Sequence, residues 1–286
     1  MHEIMLAFPK KRQAIHILAA RHILHKLGIG EKDIAEATTP SGTVLLFYIR
    51  SRCRADFFVK RLRRTRLKSA AISATFLRKD DWQLKWKDYF KPFRFTKALT
   101  VVPLRMKDSY KGRGDVIYID TGPVFGAGTH PTSQMIAAFI EKKKGLFKSF
   151  LDVGTGAGIL SIVASRCGAQ DIRAIDIDRR AIRTARRNCA INRCSLSHLG
   201  VLDFRRWRSK RQFDFVAANL LTDDLLTLDK KLASRVKKGG YLAVSGISLG
   251  NLPKFRRGFD IRSLRCLAVI KKKGWAALLY KKLDKK

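Results

Sequence analysis

Asp152-Val153-Gly154-Thr155-Gly156-Ala157-Gly158 is the stretch of this chain whose residue types and spacing best suit the holding of a small molecule. An apolar run, Phe150–Val153, leads into it. Behind it Ile159, Leu160, Ile162, Val163, Ala164 and Cys167 keep a helical face until Gly168. Glycines let the backbone take positive φ and let a ligand come close. The helix N-terminus adds unpaired N–H groups. A second apolar run, Ile172–Ile175, ends in Asp176, about 20 residues on, where a carboxylate accepts from ribose hydroxyls. A dinucleotide site would carry G-x-G-x-x-G. Here the third glycine comes one residue early, and Ile159 stands where that pattern wants glycine. Asp152 would repel a pyrophosphate and would welcome an amino group or a sulfonium. The stretch therefore reads as a site for a nucleoside bearing an amino acid. The bland alternative is a βαβ turn whose glycines serve packing alone.

Other chemistry-bearing residues fall at expected strand ends. Leu196–Leu202 closes on Asp203, and Phe213–Ala218 ends at Asn219-Leu220-Leu221. The loop Thr121–Ser133 mixes glycines with hydroxyls and could fold over a ligand. Within it, His130 is a candidate general base or a structural loop histidine. Pro131 suits the first turn of the following helix.

These residues need elements to hold them. Arg179–Ile191 reads as a helix with five arginines outward, Asp223–Val236 as another, punctuated by Gly239-Gly240. Tyr241–Ser245 is a further strand, Leu249–Arg257 a short helix, and Leu264–Ile270 with Trp275–Tyr280 a closing hairpin. Alternating β and α predicts a mostly parallel, doubly wound Rossmann-like sheet with its ligand at the strands' carboxyl ends. Three segments follow: a small N-terminal α+β domain over 1–78, an aromatic linker over 79–104, and the nucleotide-binding domain over 105–286. In the first, Ile4–Phe8, Thr43–Ile49 and Ala70–Leu77 read as strands. Lys10–Leu27 reads as a helix with Ile15, Leu18, Ala19, Ile23, Leu24 and Leu27 inward. A second helix over 54–67 has Phe57, Phe58, Leu62 and Leu67 apolar. That order suggests a ferredoxin-like βαββαβ unit of which three strands are visible. In the linker, Trp82 and Trp86 are spaced to share a helix face.

The chain's 60 Lys+Arg against 23 Asp+Glu give a net charge of +37. Such a field draws a protein towards polyanions, and nucleic acid or a ribonucleoprotein is one candidate. A proteome-wide basic bias with no specific site is the other reading. The excess peaks in 51–100, where Arg61, Arg63, Arg64, Arg66 and Lys68 would fringe one helix, as a solvated face or as a patch docking acidic partners. Five cysteines without C-x-x-C exclude metal-ligand spacing and argue against a disulfide framework, which fits a cytoplasmic setting. The N-terminus is no signal peptide, and Arg21, His22, His25 and Lys26 break the apolar stretch 14–27, so no membrane association is expected.

Taken together, Phe125-Gly126-Ala127-Gly128-Thr129-His130-Pro131-Thr132-Ser133, the glycine loop, Ala218-Asn219-Leu220-Leu221, Ser245-Gly246-Ile247 and Gly274-Trp275-Ala276-Ala277-Leu278 resemble the PrmA family. These are the class I S-adenosylmethionine-dependent methyltransferases of ribosomal protein L11. The Trp82…Trp86…Phe90-Lys91-Pro92 segment is similar to that family's interdomain connector. The likeness is strong from residue 82 onward. Ser133 replaces a family threonine, Ala127 replaces another, and the tryptophan that follows the connector's proline is absent. The resemblance implies a ferredoxin-like substrate domain and S-adenosylmethionine bound by Ser133, Gly154, Gly156, Asp176 and Asn219. It implies Asn219 as the catalytic residue aiming an incoming amine with the Leu220 carbonyl; the general fold pattern adds Asp203 on the adenine amine. It implies a cytoplasmic enzyme, working as a monomer, that methylates a lysine side chain or N-terminal amine of L11. Methylation of another protein's lysines or of RNA stays open, as does a non-catalytic ribosome- or RNA-binding module of the same fold.

Overall fold

The computed structural model describes residues 2–9, 13–30, 33–39, 42–49, 51–65, 70–76, 90–120, 126 and 128–283. They form two compact units, Met1–Lys91 and Pro92–Lys286. Trp82, Trp86, Arg66, Leu67, Lys68, Phe125 and Ala127 lie outside the described residues.

The first unit runs β1 (His2–Pro9), α1 (Gln13–Lys26), β2 (Ala35–Thr39), β3 (Gly42–Ile49), α2 (Arg52–Arg63) and β4 (Ala71–Phe76). The sheet order is β2-β3-β1-β4 and every neighbouring pair is antiparallel. Period-two alternation buries Ile4, Leu6 and Phe8 of β1 with Leu45, Phe47 and Ile49 of β3 against the helices. β2 is the strand that the sequence hid. Ala-Glu-Ala-Thr-Thr has no apolar alternation, because an edge strand has one sheet neighbour and carries less of the core. It is tied down by charge instead: buried Arg21 of α1 donates to Glu36 at 2.8 Å. The inward face of α1 also differs from expectation. Ala20 and Leu24 are fully buried, while Leu18 is 44% exposed and Ala19 is exposed. On α2, Ala55, Phe58, Val59 and Leu62 face the core, whereas Phe57, expected among the apolar face, is 53% exposed. At about 100° per residue, Phe57 and Phe58 cannot both point inward to the same depth.

The second unit begins with strands inside the segment read as a linker. β5 (Phe93–Arg94), β6 (Leu99–Pro103) and β7 (Asp115–Ile119) form a small sheet in that order. The chain then alternates α3 (Pro131–Lys142), β8 (Ser149–Val153), α4 (Ile159–Arg166), β9 (Asp171–Asp176), α5 (Arg179–Ile191), β10 (His198–Val201), β11 (Phe213–Asn219), α6 (Thr222–Ser234), β12 (Val236–Ser248), α7 (Leu252–Gly258), β13 (Leu264–Lys272) and β14 (Trp275–Lys282). The sheet order is β10-β9-β8-β11-β12-β14-β13. The first five are parallel, and β14 runs antiparallel between β12 and β13. Strands covered on both faces read as continuous apolar runs, as in β8, where every residue is buried. Gly239-Gly240 does not separate helix from strand. Both glycines lie within β12, where the pairing with β11 shifts register.

Strand order reverses between β8 and β11, and a ligand crevice belongs at such a point. At the opposite end of these strands Asp214 is a clamp. One of its oxygens accepts from the Lys148 and Ser149 amides and the Ser149 hydroxyl, the other from Lys237 at 2.8 Å. Burial pushes this carboxyl up, but those donors outweigh it and hold it at about 2. Among the described residues no helix is long and apolar enough to cross a membrane.

Candidate functional site

The carboxyl ends of β8, β9 and β11 lie side by side. Val153 pairs with Ile175, Ala218 pairs with Val153, and Asn219 pairs with Ser245 on β12. This register places the glycine loop, Asp176 and Asn219 along one edge. Gly154, Gly156 and Gly158 take φ of 75°, 55° and 85°, the left-handed region that favours glycine. The cradle also excludes side chains. A Cβ on Gly154 would come 2.6 Å from Leu220 Cδ2, and one on Gly158 would meet Ala185 of α5 at 3.1 Å. Gly126 comes so close that its Cβ would lie 2.9 Å from the Ala157 amide nitrogen.

Asp176 is already oriented. The Gly156 N–H donates to Oδ2 and the Asp178 N–H to Oδ1, both at 2.9 Å. Each carboxylate oxygen keeps a further lone pair, so the group can still accept from two hydroxyls. Ser133, in the first turn of α3 and 2% exposed, accepts from Asn219 Nδ2 at 3.2 Å. Two expected ligand residues 86 positions apart in the chain thus touch directly. Leu220 is held on β12 by its N–H to the Ser245 carbonyl, 3.1 Å.

Asp152 is fully buried. Thr155 Oγ1 and Ser161 Oγ donate to its Oδ2 at 2.8 and 2.7 Å, while Oδ1 has no protein partner. Burial lifts its carboxyl from an ordinary 3.8 to about 6, against the two hydroxyls that pull it down and with Asp176 adding repulsion. A buried carboxylate without a cationic partner, at the head of the glycine loop, fits by its charge a nucleoside carrying a cationic amino-acid end. It does not fit a diphosphate.

A carboxyl raised from 3.8 to about 6 costs the ionised folded state about 3 kcal/mol at neutral pH. The sign is the reverse of the usual acid. Its favourable contribution is complete below the unfolded value and is lost as pH rises through the folded one. Asp152→Asn is therefore expected to raise the melting temperature of the ligand-free protein at pH 8, with the gap narrowing below about pH 6 and closing only near about pH 4. The same substitution is expected to weaken the amino-acid-bearing ligand at least tenfold, about 1.4 kcal/mol. Calorimetric scans and titrations across that range check both; a variant that melts lower at pH 8 contradicts the first.

His130 caps α3. Its Nδ1 lies 2.7 Å from Thr132 Oγ1 and accepts from the Thr132 N–H, and its ring meets Trp275 edge-on at 4.9 Å. That geometry matches the structural alternative named for it. Asp203 caps a short 3-10 turn and pairs with Arg205 at 3.0 Å, its carboxyl held down chiefly by that guanidinium. An open concavity of about 510 Å³ is lined by Phe95, Thr96, Gln134, Met135, Ile270 and Lys272, among others. None of Ser133, Gly154, Gly156, Asp176 and Asn219 lines it.

Two positioning residues escaped the sequence reading. Asn192 exchanges bonds with both the N–H and C=O of Tyr118, at 2.9 and 2.6 Å. Fully buried Asn188 does the same for Asp120, at 2.8 and 3.3 Å, and also donates to the Ala157 carbonyl at 2.9 Å. Together they join β7 and Asp120, the residue after it, to the glycine loop. The signal was present: two asparagines four apart on the face of α5 that buries Ala185 and Cys189.

A model of the family described as ribosomal protein L11 methyltransferase (PrmA) matches residues 12–283. The ribosomal protein L11 methyltransferase of Geobacter metallireducens is 35% identical over 213 residues, covering 74% of this chain and 69% of that one. That of Streptococcus uberis is 34% identical over 215 residues, covering 75% and 68%. A solved structure, the ribosomal protein L11 methylase from Lactobacillus delbrueckii subsp. bulgaricus, matches with a TM-score of 0.61 at 28% identity, covering 68% of this chain and 100% of that one.

Proposed function

The chain belongs to the ribosomal protein L11 methyltransferase (PrmA) family, and from that premise we propose that it methylates amino groups of ribosomal protein L11 with S-adenosylmethionine. The observation that carries the site assignment is the Ser133–Asn219 bond at the end of β11, beside the glycine loop. S-adenosylmethionine supplies a methyl group activated on a sulfonium.

The chain's own residues do the rest. Asp176 takes the ribose hydroxyls on its remaining lone pairs. Gly154 and Gly156 let the backbone lie against the nucleoside and the methionine part. Ser133 and Asn219 bound the same ligand from α3 and β11. Because Asn219 Nδ2 donates to Ser133, its Oδ1 faces the work of accepting from an incoming amine together with the Leu220 carbonyl. That pair aims the amine's lone pair for an in-line displacement, and positioning of this kind supplies much of the rate. A lysine amine, ordinarily protonated at neutral pH, must arrive neutral. Desolvation in a closed site favours that form, and water takes the proton.

The first unit, read as a ferredoxin-like domain, would recognise the substrate protein. The whole would work as a monomer in the cytoplasm, with the basic surface touching ribosomal RNA.

Incubating the protein with methyl-tritiated S-adenosylmethionine and purified L11 or large subunits is expected to label L11 on amino groups. Label found only in RNA or in another protein would sink the substrate assignment. Absence of S-adenosylmethionine binding by calorimetry would sink the enzyme reading as well, leaving a binding module.

A further inference from the structure

The outer face of α2 is a second surface with chemistry of its own. Ser51 caps the helix, and Ala55, Phe58, Val59 and Leu62 bury its inner face. At about 100° per residue, Phe57 sits at the centre of the opposite face, flanked by Arg54, Lys60, Arg61 and Arg64, and all five are exposed. Phe57 itself is 53% exposed. Over residues 52–64 the chain carries Arg52, Arg54, Lys60, Arg61, Arg63 and Arg64 against the one acid, Asp56. Among the described residues none of these cations is held in an ion pair. The Arg61 guanidinium lies 5.8 Å from the centre of the Phe57 ring, and that of Arg54 lies 5.9 Å from the centre of Phe58.

We propose that this face binds single-stranded RNA, with Arg54, Arg61 and Arg64 on phosphates and Phe57 under a base. The cations are mostly arginine, whose planar fork matches phosphate oxygens where a lysine offers a point charge. Helix packing did not require an aromatic here, since the core face is complete without Phe57. An unpaired base can lie on such a ring, and base–aromatic stacking with flanking arginines is the usual construction of a sequence-tolerant single-strand site. Carboxylates of an acidic protein would use the cations equally well but would give the ring no base to stack on. The inference stands on this face alone and does not need the methyltransferase reading.

The test uses the full-length protein and a fluorescein-labelled uridine oligomer of about 20 nucleotides, longer than a typical single-strand footprint, followed by anisotropy over a range of salt. Substituting Arg54, Arg61 and Arg64 together by alanine is expected to weaken binding about tenfold or more and to flatten the salt dependence by about two counter-ions. Phe57→Ala is expected to weaken it about tenfold with the salt dependence unchanged. All four side chains are exposed, so circular dichroism and melting should match the parent. A control takes the same number of exposed cations, Arg179, Arg183 and Arg186, off α5. The proposal is overturned if the parent does not bind the oligomer, or if the α5 control loses as much as the α2 variant. It is also overturned if Phe57→Ala binds like the parent, or if polyglutamate displaces the RNA at equal charge concentration.

Discussion

Replacing Asn219 by alanine is expected to lower kcat about a hundredfold or more while cofactor affinity falls only several-fold. The asparagine is the residue asked to act on geometry at the moment of transfer, and loss of orientation of about an ångström is worth about a hundredfold. Cofactor affinity rests on several groups, with Asp176 already fixed by the Gly156 and Asp178 amides independently of Asn219. Fold should survive, because Asn219 is half-buried at a strand end and its neighbours hold β11 without it. Ser133→Ala is expected to have a milder effect, since it removes the partner that orients the amide at a cost of about 1 kcal/mol. Asn219→Asp separates acceptor from charge. A carboxylate can still accept from the amine, but it favours the ammonium form, so the rate should recover only at higher pH. Single-turnover transfer with saturating cofactor, measured from pH 7 to 10, reads all three. An alanine variant with unchanged kcat would remove Asn219 from the chemistry.

How much of this was legible in the sequence depends on the range of the force at work. The β8–loop–α4–β9 unit was readable residue by residue because each step has a local cause: an apolar run, positive-φ glycines, a helical face, an acid at a strand end. The Ser133–Asn219 contact could be expected only through a family resemblance, since nothing local links residues 86 apart. Edge elements were the least visible. β2 carries Glu36 for Arg21 rather than apolar alternation, and β5 and β6 lie in a stretch whose aromatics resembled a connector. Asn188 and Asn192 were missed for the same reason as β2. Their work is hydrogen bonding to a strand 68 to 74 residues away, and their i, i+4 spacing on a buried face marks them without naming that partner. The exposure of Phe57 ran the other way. Phe57 was grouped with the helix's apolar residues by its type, whereas burial is set by its angle on the helix.

Gly246→Ala is expected to destabilise the protein severely and to lower kcat with it. Gly246 follows Ser245 in β12 at φ 95°, and a Cβ there would lie 1.9 Å from the Leu220 carbonyl oxygen and 2.7 Å from its carbon. Backbone, not a flexible side chain, is in the way, so either β12 or the Asn219-Leu220 turn must move. That turn is pinned on both sides, by the Leu220 N–H on Ser245 O and by the Asn219 amide on Ser133. Left-handed strain on a non-glycine residue costs about 1–3 kcal/mol, and forced displacement in a packed region adds about as much again. Gly168→Ala is the control. Gly168 also has a positive φ, 99°, but its Cβ would meet nothing within 4 Å, so it should pay the strain alone and keep full activity. The difference between the two variants in denaturant midpoint isolates the collision. Because the displaced atom is the carbonyl assigned to the incoming amine, Gly246→Ala should also lose kcat beyond its loss of folded protein. Equal stability for the two alanine variants would mean that the turn yields freely, and a carbonyl that yields freely cannot aim a nucleophile.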